Sequence, residues 1–161
     1  MKKRAQQTVG MPFGMIFAVI LIVVFFAVAF VAIKSFLGFG RTVDVGLFYR
    51  NFQEEVDSAW QSQESLTNFK VELPQSIEFA CFANLSLLAN ADQDIYKEIK
   101  RYDFYDANLF LYPPEKVDGS PYKKIEHLDV NSLSSNPLCF ANGEEVTIKK
   151  DFYSKFVTVS R

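Results

Sequence analysis

Residues Met15–Ile33 read MIFAVILIVVFFAVAFVAI, and fourteen of these nineteen are Val, Ile, Leu or Phe. Each such residue near the centre of a membrane-spanning helix favours insertion by about 0.3–0.6 kcal/mol, roughly 6 kcal/mol in all. No charged residue occurs from Met11 to Ile33 to oppose it. As a helix, Met11–Ile33 would extend about 35 Å, against about 30 Å of bilayer hydrocarbon. A buried core helix would carry a polar face every 3.6 residues, and this stretch has none. A cleavable secretory signal could end at Ala27-Val28-Ala29, but the apolar run continues to Ile33, which favours retention.

Charge sets the expected orientation. Lys2, Lys3 and Arg4 precede the apolar run, while the far side has Lys34 and Arg41, soon followed by acids. The positive-inside rule then predicts a cytoplasmic amino terminus and an extracytoplasmic carboxy-terminal domain in a single-pass cell-membrane protein. Phe36 and Phe39 fall where aromatic rings sit at a lipid interface. All 19 acidic residues follow the span, the first being Asp44, against 14 basic residues there. A net-acidic domain argues against nucleic acid as a partner, because displacing counterions needs a basic face. The partners expected are the lipid bilayer and proteins, including self-association through the membrane helix.

Residues 1–10 read as a short basic tail or leader and 11–37 as the transmembrane helix. Gly38 and Gly40 predict a linker over 38–43, and 44–161 is an extracytoplasmic α+β domain. Its first element is an amphipathic helix over 44–62: Val45, Phe48, Tyr49, Phe52, Val56, Ala59 and Trp60 recur at spacings of three and four. From there the pattern changes to period two, and 68–160 is expected to be β-rich and mainly antiparallel. Phe69, Val71 and Leu73 alternate before Pro74. Ile77–Ala83 is apolar on nearly both faces and reads as a central strand. Residues 92–102 suit a short helix and 108–112 a strand ended by Pro113-Pro114. A loop follows over 115–122, and Lys124–Val130 reads as a weaker strand. Asn142-Gly143 between Leu138–Ala141 and Glu144–Lys150 predicts a hairpin, because Asn-Gly supplies the positive φ angles of a tight turn. Phe152–Ser160 is the last strand.

Cys81 and Cys139 both lie in apolar, strand-like runs. Outside the cytoplasm they can form a disulfide, which in the chain-entropy model stabilises by about 4 kcal/mol; otherwise they are buried thiols packed as small hydrophobes. No CxxC or Cys/His cluster points to zinc. Asn84-Leu85-Ser86 is an N-glycosylation sequon after an apolar strand. The one histidine, His127, is expected at or near the surface, and no GxSxG elbow supplies a serine partner for it. Neither a phosphate-binding loop nor a dinucleotide fingerprint occurs. No catalytic, metal or cofactor site is therefore expected. The aromatic cluster Tyr102, Phe104, Tyr105, Phe110 and Tyr112 either fills a small core or forms an exposed patch for a partner.

A basic KKRA start, an apolar span, an amphipathic helix and a β-rich remainder together resemble the layout of type IV pilin-like proteins. The resemblance implies cleavage of a leader between Ala5 and Gln6, and one helix from Gln6 to Trp60 whose first half lies in the membrane and whose second half lies on the sheet. Gly10 stands at the fifth position after that cut, where many bacterial pilins carry glutamate. The segments Gly10-Met11-Pro12-Phe13-Gly14, Leu73-Pro74 with Ile77, and Cys81-Phe82, together with Trp60, are similar to uncharacterised archaeal membrane proteins. These resemblances imply a non-enzymatic, membrane-anchored surface protein: a structural subunit of a filament or secretion-type assembly, or a tethered interaction module of a membrane complex.

Overall fold

A computed structural model describes residues 10–161, with side chains over 14–35 and 43–161. The predicted leader, with Ala5 and Gln6, lies outside the described residues. The chain divides into two compact units, Met1–Gly40 and Arg41–Arg161.

Helix α1 runs from Gly10 to Gln61. The expected linker over 38–43 is helical: glycine in a helix costs only about 1 kcal/mol, and no proline interrupts the ladder there. Within the first unit, Gly14–Ser35 is 22 residues long with mean hydropathy 3.4, long and apolar enough to cross a membrane. None of it is buried against protein; Phe25, Phe26 and Val31 are each more than 60% exposed. In the second unit the helix is amphipathic. Val45, Phe48, Tyr49, Phe52, Val56 and Ala59 are all buried, as their spacing predicts, whereas Trp60 is 39% exposed.

The second unit is α+β, as expected. Its strands are β1 (Ser65–Lys70), β2 (Phe79–Phe82), β3 (Leu109–Tyr112), β4 (Tyr122–Lys123), β5 (Leu138–Ala141), β6 (Glu145–Lys150) and β7 (Thr158–Ser160). Helix α2 (Gln93–Ile99) continues into a 3₁₀ turn at Lys100–Tyr102. Two antiparallel sheets form, one ordered β1-β6-β7 and the other β4-β3-β2-β5. The apolar run through β2 is explained by its place between β3 and β5. Ala80 and Phe82 join the core shared with the α1 stripe, and Cys81 is buried on the opposite face.

Both sheets contribute to that core: Leu109, Leu111 and Phe140 from one, Val146, Ile148 and Val159 from the other. Aromatic rings link the helix to each. Phe52 lies 5.1 Å from Phe69 of β1 and 5.1 Å from Phe82 of β2, and Phe82 lies 5.9 Å from Phe140 of β5. Such pairs add about 0.5–1.5 kcal/mol each beyond the area they bury.

Three expectations in the β-rich part are also corrected. The last strand, expected from Phe152, forms only over Thr158–Ser160. Residues 138–150 do not form a hairpin, because β5 pairs with β2 and β6 pairs with β1. Asn142-Gly143 instead carries the chain from one sheet to the other. The Asn142 side chain accepts from the Leu73 N–H (3.0 Å) and donates to its carbonyl (2.8 Å), while the Gly143 N–H donates to the Val71 carbonyl (2.7 Å). Gly143 still has the expected positive φ, 93°. Nor is Lys124–Val130 a strand, because side chains take its backbone. The Asn108 amide accepts from the Ile125 N–H (2.7 Å) and donates to the Ile125 carbonyl (2.8 Å). The Glu126 N–H donates to Gln53 (2.9 Å), and His127 has φ 62°. Only a single parallel bridge, Leu128 to Val157, survives from the expected ladder.

Candidate functional site

Cys81 and Cys139 face each other in the β2–β5 register and are joined by a disulfide, with Cα atoms 4.0 Å apart. They form a non-hydrogen-bonded pair, the closer of the two antiparallel arrangements. The bridge ties residues 58 apart in sequence and is compatible with an oxidising compartment.

Asn84 lies just beyond β2. Its side-chain oxygen accepts from the Ser86 N–H (2.9 Å), closing an Asx turn, and its amide donates to Asn131 (2.8 Å). Buried Asn136 locks this corner: it accepts from the Asn84 N–H (3.0 Å) and donates to the carbonyls of Asn84 (2.9 Å) and Leu88 (3.3 Å). The sequon residue thus sits in an asparagine network. A glycan on its Nδ2 would replace one of that atom's two protons at the site of the Asn131 contact.

The last two turns of α1 form a second constellation. Gln53, Asp57 and Trp60 lie on one helix face at i, i+4 and i+7. His127 Nδ1 is 3.1 Å from Asp57 Oδ1, and its ring stacks on Trp60 at 3.7 Å with 9° between the planes. Gln53 donates to Asp57 (2.8 Å), and the Trp60 indole N–H donates to the Lys155 carbonyl (3.2 Å). His127 is half-buried, as the sequence suggests, yet tightly organised. The sequence contains only one His and one Trp, 67 positions apart, and nothing in that separation marks their contact. The chemistry available here is a hydrogen-bonded, stacked clamp holding the 126–127 corner to the helix. Among the described residues both cysteines are in the disulfide, and no three His, Cys, Asp or Glu side chains converge as metal ligands.

The aromatic cluster splits between the two readings. Phe110 is fully buried, whereas Phe104 is 73% exposed and Tyr105 43% exposed. Tyr105 stacks on Tyr122 at 4.3 Å and touches Phe104 at 4.2 Å, making a surface ladder continued by Tyr102. The Tyr105 contact holds the Tyr122 hydroxyl above its ordinary pKa. Tyr49, buried on α1, donates to the Ser120 carbonyl at 3.0 Å, and desolvation raises its hydroxyl well above the ordinary tyrosine value.

No family model, curated protein or solved structure matches the chain.

Proposed function

We propose that the chain is a non-catalytic, membrane-anchored surface protein, a pilin-like structural subunit of a surface filament or secretion-type assembly. The observation that carries this reading is the division of labour along α1, which is apolar on every side over Gly14–Ser35 and striped and buried over Val45–Ala59. The first part has the length and composition for lipid or for packing against copies of itself. The second is the spine of a folded domain. The disulfide fits a domain outside the cytoplasm, and Lys2, Lys3 and Arg4 fit an amino terminus inside it. The exposed ladder of Phe104, Tyr105 and Tyr122 supports a second reading, a tethered interaction module that never leaves the bilayer.

Mass spectrometry of the protein from native membranes separates the two. A processed terminus at Gln6 is the result expected of a pilin-like subunit. An intact Met1, or loss of the initiator alone, contradicts that reading and leaves the tethered module.

A further inference from the structure

Asn84-Leu85-Ser86 is the only sequon in the chain, since no other asparagine has Ser or Thr two places on. Glycosylation needs an amide nitrogen with a proton to give up, a reachable hydroxyl at the second position after it, and room for a bulky sugar. The corner after β2 meets the first two requirements. Asn84 Nδ2 donates one proton to Asn131 (2.8 Å), and its other proton has no acceptor among the described residues. Ser86 is exposed, and its hydroxyl makes no protein hydrogen bond among the described residues. The corner does not rely on that free proton, because Asn136 holds the Asn84 backbone at both its N–H (3.0 Å) and its carbonyl (2.9 Å).

The room is also present. A cleft of about 460 Å³ has Asn84 and Ser86 on one wall and Phe104, Tyr105, Asp106 and Lys124 on others. Its walls combine the two chemistries that hold a pyranose. The exposed ring of Phe104 offers an electron-rich face to the C–H groups on the apolar side of a sugar. Asp106 and Lys124, paired at 2.6 Å, offer acceptors and donors to its hydroxyls. A sugar tethered at Asn84 and seated here would take the face of Phe104 out of water.

On the reading of the domain as extracytoplasmic, we propose that Asn84 carries an N-linked glycan whose first sugar lies in this cleft against Phe104. The donor class is an oligosaccharide joined through phosphate to a membrane lipid. Nδ2 bonds to the anomeric carbon of the first sugar, and the bond from that carbon to the phosphate oxygen breaks. The lipid phosphate departs with the electron pair, Nδ2 sheds one proton to solvent, and nothing is oxidised or reduced. The Asn84 side-chain oxygen takes no part, so its Asx turn with the Ser86 N–H persists.

The test uses the full chain expressed in its native cells and extracted with free thiols trapped by alkylation. Mass spectrometry of the Asn84 peptide is expected to show added hexose or N-acetylhexosamine units. Ser86→Ala should abolish them and Ser86→Thr should keep them; both leave the hydrogen bonds of Asn84 in place. A bare Asn84 in the wild type overturns the proposal. Cys81 and Cys139 in the same sample tell the two failures apart: a disulfide leaves the extracytoplasmic reading standing, whereas alkylated thiols overturn that reading as well. Seating of the sugar is read from unfolding midpoints. Phe104→Ala should lower the midpoint of the glycosylated protein, and by less than half as much in the Ser86→Ala background. Equal lowering in both backgrounds overturns the contact with Phe104.

Discussion

The two stretches of α1, Gly14–Ser35 and Val45–Ala59, are both helical and both rich in Val and Phe, yet they are built for different surroundings. In the first, apolar side chains point in every direction and stand exposed. In the second they recur at three and four and disappear beneath two sheets, while Arg50, Glu54 and Glu55 face outward. The difference lies in angular distribution rather than in amount of hydrophobicity. A stripe can be satisfied by a sheet of the same chain, whereas an apolar cylinder can be satisfied only by something surrounding it, such as lipid or other helices.

Charges should break the first stretch and not the second. Val23→Arg with Phe26→Arg adds about 6 kcal/mol to the insertion cost, enough to cancel the gain of the run. The double variant should leave the membrane pellet for the soluble fraction, whereas Glu54→Arg on the outer face of the second stretch should leave fractionation unchanged. Truncation should have the opposite pattern. Phe52→Ala opens a cavity at the aromatic junction and should cost about 3–5 kcal/mol in denaturant unfolding; Phe25→Ala should leave the domain's unfolding midpoint where it is. Replacing Cys81 and Cys139 together by Ala should cost about 4 kcal/mol in the same assay, through the larger entropy of the unfolded chain.

The smallest effect concerns Tyr49. Its burial raises the folded-state pKa, so the unfolded chain ionises first as pH rises, and stability falls above about pH 10. Tyr49→Phe should cost about 1 kcal/mol at neutral pH through loss of the Ser120 hydrogen bond. It should also flatten the alkaline decline, as read from unfolding midpoints between pH 8 and 11.

Periodicity made much of this fold legible. The α1 stripe, the central place of β2, the 92–102 helix and both cysteine strands follow from local patterns, because side-chain direction repeats with backbone geometry. Strand partnership does not. Asn142-Gly143 has the chemistry of a hairpin turn, but hydrogen bonds to Val71 and Leu73, some seventy residues earlier, decide that β5 and β6 enter separate sheets. Lys124–Val130 alternates like a strand, yet Asn108 and Gln53 satisfy its backbone first. At 38–43 the glycine pair suggests a break, but flanking helical turns carry the ladder through. The Trp60–His127 stack arises only once distant segments meet, so no window of sequence displays it.

The account rests on Gly14–Ser35 lying in lipid with the disulfide-bonded domain outside the cell. Lys97 and Lys116 have exposed side chains in that domain. On intact cells, a membrane-impermeant amine reagent should label Lys97 and Lys116. Protection of Lys97 and Lys116 until the cells are lysed would contradict it.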